Sequence, residues 1–206
     1  ANVISDECIL CGECYVVCPQ NAKQIADETE IVSVLLGSGA PVYASVAPSF
    51  TAYFNGIGIA SIRAGLKQLG FADAEETAIG ATFVKREYER ISREGVQSVV
   101  ITSCCPTVNT LIEKYYPEIT ECLAPVMTPM QAHCTDIKRR HSDAKTVFIG
   151  PCLSKKDEAA RVGVDAALTF EEIAAMFEKK GIVLESMRDH DEKSRARLFP
   201  TSGGVL

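Results

Sequence analysis

Histidine is scarce in this sequence, at three of 206 residues. His133, His141 and His190 fall at no spacing that ligates a metal, so surface or helix-end roles are expected of them. Tryptophan is absent altogether. Near the N-terminus the longest apolar run is Ile31 to Leu36, far below the roughly 20 residues that cross a bilayer. Lys and Arg number 21 against 27 Asp and Glu, for a net charge of −6. With no basic stripe, a nucleic-acid role is excluded. The opening residues, with Asp6 and Glu7 among cysteines, do not read as a signal peptide, and a cytoplasmic setting is expected. Neither an internal repeat nor a low-complexity segment is present.

Cysteine, in contrast, is abundant. There are nine, an odd number, and four of them are tightly spaced. In a chain this long, that pattern favours metal-bound thiolates in a reducing compartment over a disulfide framework. Hydrophobic residues make up 47% and charged residues 23%, an ordinary globular balance. The length suits one compact α/β domain with a small appendage.

Residues 1–28 are cysteine-rich and carry little hydrophobic periodicity, whereas residues 40–206 read as alternating strands and helices. Pro41 to Ala47 predicts a strand that Pro48 ends. Phe50 to Leu69 predicts a helix, weakened in its first turns by Gly56 and Gly58 and stopped by Gly70. Thr82 to about Arg93 predicts an amphipathic helix closed by Gly95. Val96 to Ile101 reads as a strand, Thr107 to Tyr116 as a helix and Thr146 to Ile149 as a strand. Thr169 to Lys180 is the clearest helix, with Thr169 and Glu172 forming a capping box and Gly181 ending it. Ile182 to Leu184 reads as a further strand. Strands separated by helices predict an α/β fold with a parallel or mixed sheet. Ligand-bearing loops in such folds lie beyond the carboxyl ends of strands.

Cys8, Cys11, Cys14 and Cys18, followed by Pro19, have the spacing C-x2-C-x2-C-x3-C-P, the bacterial ferredoxin run for 4Fe-4S clusters. Three closely spaced thiolates can surround one cube, while the fourth normally serves a second cluster. Gly12 suits a loop that turns tightly against sulfide. A zinc site or free thiols are the alternatives, but zinc ligands usually come as separated pairs. A two-cluster ferredoxin needs two such runs, and one is present, so the chain is expected to be a piece of something longer. Cys122 or Cys134 could supply a missing ligand, though nothing in the sequence favours either. Both are otherwise expected to be structural.

A second constellation lies further on. Thr102-Ser103-Cys104-Cys105-Pro106 and Gly150-Pro151-Cys152-Leu153-Ser154-Lys155-Lys156-Asp157-Glu158 each read as a strand-to-helix loop. A helix N-terminus favours thiolate. An isolated Cys-Cys pair reads more readily as buried structural cysteine. Lys155 and Glu158 alone would read as an exposed i,i+3 helix pair. Tyr115-Tyr116 suggests helix packing, Lys138-Arg139-Arg140 a solvated basic patch, and Arg188 to Arg197 an exposed segment of alternating charge.

Together these stretches resemble the catalytic domain of [FeFe]-hydrogenases. The first matches that family's T-S-C-C-P motif, and the second its P-C-x-x-K-x-x-E motif through Pro151, Cys152, Lys155 and Glu158. Val46-Ala47-Pro48-Ser49 resembles the strand-end loop lining the same pocket. Thr128-Pro129 sits where the family usually has Ser-Pro, and Ser202-Gly203-Gly204-Val205 resembles its Gly-Gly-Val segment. The ferredoxin run lies where such enzymes carry accessory clusters. The resemblance implies an H-cluster, which is a 4Fe-4S cubane joined to a two-iron unit bearing CO and cyanide. It makes Cys105 and Cys152 cubane ligands and Cys104 the residue that passes protons to the two-iron unit. Lys155 would hydrogen-bond a cyanide, with Ser49 in the same loop, and Glu158 would anchor or relay nearby. Two further cubane cysteines come from a later family motif that does not occur before Leu206.

Other departures concern speed. Gly150 stands where productive members usually have Met, and Val108 where a Trp usually follows the cysteine pair. The family's proton relay passes through a Glu and a Ser. These positions fall on Val84, or on Phe83 with a one-residue gap, and on Ala124, none of which carries a proton. The pattern resembles the family's sensory branch. The expected function is interconversion of H2 with protons and electrons, slow or sensory, in exchange with a redox partner such as ferredoxin and with signalling domains elsewhere in the full chain. The alternative is a non-catalytic electron-transfer or cluster-assembly protein on the same scaffold.

Overall fold

The computed structural model describes residues 2–184. The Gly203-Gly204-Val205 segment, His190 and the Arg188 to Arg197 run lie outside the described residues.

Among the described residues four strands form one parallel sheet: β1 (Val42–Val46), β2 (Asp73–Glu76), β3 (Lys145–Ile149) and β4 (Ala166–Leu168), in the order β2-β1-β3-β4. The central strands β1 and β3 are buried almost throughout, because helices cover both faces. The helices are α1 (Glu13–Val16), α2 (Thr29–Gly37), α3 (Phe50–Tyr53), α4 (Ile59–Leu69), α5 (Ala78–Glu94), α6 (Pro106–Tyr115), α7 (Pro129–Arg140), α8 (Ser154–Val162) and α9 (Phe170–Lys179), with a 3-10 turn over Pro117–Cys122. The main core joins the sheet to Phe50, Leu66, Met130, Phe170, Ile173 and Phe177.

The α/β sheet and most elements stand where the sequence places them, including the capping box on α9. Four expectations are corrected. Phe50 to Leu69 is two helices, because Gly56 takes a left-handed φ of 79° and breaks the ladder. Val96 to Ile101 is not a strand: Ile101 alone makes a bridge, to Leu123, while Val96 and Val99 face outward. Ile182 to Leu184 is not a strand either. Leu184 packs on the main core after the turn that ends α9. Helix α5 begins four residues earlier than expected. There a Cβ on Gly80 would lie 2.1 Å from Pro129 O, so the absent side chain lets α5 and α7 touch backbone to backbone.

Two bland expectations also change. His133 is wholly buried, between Ser45 Oγ (2.8 Å from Nδ1) and Glu75 Oε2 (3.1 Å from Nε2). The Lys138–Arg140 patch is paired, not merely solvated. Lys138 meets Asp165 at 2.6 Å, and Arg140 forks onto Glu75 at 2.8 and 2.9 Å. Hydrogen bonds from His133, then from Arg140, hold the Glu75 carboxyl at about 2 against an ordinary 4.5. His141 stacks on Tyr43 with ring centroids 4.5 Å apart.

Candidate iron–sulfur site

Because every pair in the sheet is parallel, the carboxyl ends of β1, β3 and β4 lie on one side. Ala47, Pro48 and Ser49 leave β1 there, and Gly150, Pro151 and Cys152 leave β3 beside them. Ala47 N donates to Ile149 O at 2.8 Å and Gly150 N to Leu168 O at 2.9 Å, which ties the three strand ends together. Ser49 N-caps α3 without a side-chain hydrogen bond. Cys152 precedes α8, and its Sγ lies 3.0 Å from Ser154 Oγ.

The Cys104-Cys105 loop reaches the same place by another route. It follows the single bridge at Ile101 rather than a strand, and Cys105 N-caps α6 with Pro106 in the first turn. Tyr88 of α5, a residue that no motif singles out, accepts a hydrogen bond from Ser103 N at 3.0 Å and fixes the loop from beneath. The adjoining Ser103 Oγ donates to Val126 O at 2.9 Å. Thr128, also singled out from sequence, caps α7 by accepting from Gln131 N and is buried.

Lys155 and Glu158 do not form an exposed pair. Their side chains are 11% and 7% exposed, with Nζ 2.6 Å from Glu158 Oε2. Lys155 Nζ also lies 3.4 Å from Cys104 O, which joins the two cysteine loops. A buried ammonium requires such acceptors, since leaving it unpaired is costly.

The Cys8–Cys18 run docks on this assembly. Lys114 Nζ donates to Ser5 O and Cys8 O at 3.0 and 2.8 Å, and Tyr115 OH to Glu7 O at 2.7 Å. Tyr115 therefore serves the cysteine segment rather than helix packing. Leu10, Gly12 and Asn21 take positive φ, which curls the backbone back on itself. Leu10 N donates to Cys8 Sγ and Ala22 N to Cys18 Sγ, each at 3.3 Å. The Ala22 and Gln20 amides pull the Cys18 thiol below its ordinary value. Cys11, Gly12 and Tyr15 line one groove of about 650 Å³ together with Pro151, Cys152 and Leu153, and a Cβ on Gly12 would lie 3.0 Å from Cδ1 of Leu153.

All nine cysteines are free thiols. Soft sulfur donors with N–H groups turned toward them suit an iron–sulfur cluster. The four sulfurs of the run are not drawn together: among the described residues no three His, Cys, Asp or Glu side chains converge to hold a metal. Cys134 is no substitute ligand. Burial pushes its thiol up to about 12, and it packs in the main core.

Residues 1–24 match the 4Fe-4S binding domain family, and residues 40–206 match the family described as iron only hydrogenase large subunit, C-terminal domain. Among curated relatives, the periplasmic [Fe] hydrogenase large subunit of Nitratidesulfovibrio vulgaris is 33% identical over 175 residues, covering 69% of this chain and 41% of its own. Iron hydrogenase 1 of Clostridium pasteurianum is 31% identical over 201 residues, covering 84% and 35%. The NADP-reducing hydrogenase subunit HndD of Solidesulfovibrio fructosivorans is 26% identical over 247 residues, covering 100% and 42%. The chain thus spans less than half the length of these relatives. The [FeFe]-hydrogenase HydA1 of Chlamydomonas reinhardtii shares the fold, with a TM-score of 0.69 at 21% identity over 83% of this chain and 52% of that one. No described helix is long and apolar enough to cross a membrane. With its ferredoxin-type run, its two cysteine loops and a match over residues 40–206, the chain belongs to the iron-only hydrogenase large-subunit family, whose cofactors are 4Fe-4S clusters and the H-cluster.

Proposed function

We propose that this chain is the part of an [FeFe]-hydrogenase-like protein that interconverts H2 with protons and electrons, at a slow or sensory rate. The observation that carries this reading is the buried Lys155. Its ammonium sits between Glu158 and the Cys104 carbonyl at the mouth shared by both cysteine loops. An ammonium held there suits an anionic ligand such as cyanide. When bound, the H-cluster supplies the iron chemistry of H2 cleavage. Cys105 and Cys152 are the residues of this chain that would ligate its cubane. Cys104 would hold and move the proton, and Ala47, Pro48, Ser49 and Thr128 would shape the pocket. Cys8, Cys11, Cys14 and Cys18 would hold the accessory iron–sulfur centre that exchanges electrons with a partner such as ferredoxin. Thiolate ligands suit a reducing, cytoplasmic setting, and signalling domains elsewhere in the full protein would read the output.

The slow rate is supported by the surroundings of the two relay positions. Val84 and Ala124 are 2% and 3% exposed and pack together with Ile91 and Tyr88 in a second core cluster. That cluster puts no titratable group at either position. Phe83, the position reached with a one-residue gap, is 39% exposed on the outer side of α5. The test is H2-dependent dye reduction by the complete, anaerobically matured protein. Slow activity that Cys104→Ala abolishes without loss of iron supports the reading. A fully loaded protein with no H2-dependent activity would leave a non-catalytic iron–sulfur scaffold.

A further inference from the structure

Lys156, next to Lys155, points away from the Cys104 loop. Its side chain is 9% exposed, and Nζ donates to Ala167 O at 2.7 Å and meets Glu172 at 2.8 Å. Glu28 Oε1 lies 3.6 Å from the same ammonium. The other Glu28 oxygen accepts from Ala167 N at 2.9 Å, and Glu28 N donates to Glu172 Oε1 at 2.9 Å. Ala167 is the middle residue of β4, which among the described residues has a strand partner, β3, on one side only. Lys156 and Glu28 therefore serve its outward N–H and C=O as a neighbouring strand would. Glu28 leads into α2 from the cysteine segment, and Lys156 sits in the first turn of the helix that Cys152 precedes. One node thus ties the exit of the Cys8–Cys18 segment to the Cys152 loop across the floor of the 650 Å³ groove, where Glu172 is a lining residue.

We infer that Lys156, acting with Glu28 and Glu172, is a positioning residue that fixes the cysteine segment against the Cys152 loop, so that the two iron–sulfur sites keep one separation. This rests on the proposed function, because only two loaded sites make the separation matter. The ties to the segment from Lys114 and Tyr115 lie at the surface, where hydrogen bonds compete with water, and the half-buried one from Thr107 Oγ1 to Leu10 O is long, at 3.4 Å. Lys156 is a buried, charged tie, and removing it strands two carboxylates that would repel each other and release Glu28.

The test uses the complete protein, loaded anaerobically, with two readouts. One is the magnetic interaction between the reduced centres by electron paramagnetic resonance. The other is amide exchange of residues 8–28. In Lys156→Met, iron content is expected to hold while the interaction broadening collapses and exchange in 8–28 rises about tenfold or more. Lys156→Arg restores both. Glu28→Gln, which keeps an acceptor for Ala167 N but loses the charge, shows an intermediate effect and serves as the deciding variant if Lys156→Met does not fold. Unchanged spectra and exchange in Lys156→Met, or in Glu28→Gln where it decides, would overturn the inference while leaving the proposed function standing. So would an effect confined to Tyr115→Phe. A wild-type protein without two interacting centres would instead overturn the proposed function, and this inference with it.

Discussion

A Cβ added to Gly150 would lie 2.7 Å from Cζ of Phe148 and 2.9 Å from Cβ of Ala47. The ring of Phe148, 4% exposed, fills the space that a side chain at position 150 would need. Gly150, at a position where productive members of the family usually have Met, is therefore matched to its neighbour. Gly150→Ala is expected to cost about 1–3 kcal/mol through overpacking. Phe148→Leu in the same chain should recover part of that loss, because the smaller side chain gives way. Denaturant midpoints for the two single variants and the double variant measure the coupling, and strict additivity would contradict the matched pair.

Lys155→Met leaves Glu158 buried without its cation and is expected to destabilise the protein by about 3–5 kcal/mol. Adding Glu158→Gln should return most of the stability, since the amide carries no charge. The double variant should still fail to hold the H-cluster, if Lys155 serves an anionic ligand. Thermal melts and iron content, read together, separate the structural effect from the functional one.

Installing the relay, Val84→Glu with Ala124→Ser, places a carboxylate in an apolar cluster and should lower stability by several kcal/mol, on the order of the cost of a buried unpaired charge. In the complete, matured protein the same pair should raise the H2-oxidation rate, because a titratable group now stands within the path. A loss of stability with no gain in rate would show that something other than proton delivery limits turnover.

The Glu75 carboxyl is held at about 2 in the folded chain by His133 and Arg140, against 4.5 when unrestrained. A depressed carboxyl adds stability that is complete above 4.5 and lost as the pH falls toward 2. The melting temperature should drop across that window, and Glu75→Gln should flatten the drop. Asp73 contributes in the same range. Burial alone would raise its carboxyl, but the bonds from Arg63 and Lys67 bring it to about 2, so Glu75→Gln removes only part of the acid limb. An acid limb identical in Glu75→Gln and wild type would contradict the role of this pair.

What could be read from the sequence depended on whether the signal was local. The capping box of α9 and the proline-ended strand β1 are local, and both stand as read. Strand β2 reads Asp-Ala-Glu-Glu and has almost no strand propensity. It exists because its backbone pairs with β1 and because Glu75 is hydrogen-bonded by His133 and ion-paired by Arg140, from a helix 58 and 65 residues away. The Val96 to Ile101 run has the opposite fault: its composition suits a strand, but among the described residues it makes only the Ile101–Leu123 bridge. At the site, the cysteine motifs pointed to candidate residues but not to how the two loops meet. That junction is made by Lys155 on Cys104 and by Tyr88 beneath Ser103, contacts set by helix packing. The docking of the ferredoxin-type run on Lys114 and Tyr115 was illegible for the same reason, since its partners lie more than a hundred residues apart.

Infrared spectroscopy on the complete natural protein, matured with the two-iron cofactor and kept anaerobic, tests the central claim most directly. Fe–CO and Fe–CN stretches are expected, and both sets should be lost in Lys155→Met combined with Glu158→Gln. Cubane signals without those stretches would contradict the hydrogenase reading and leave an electron-transfer or assembly scaffold.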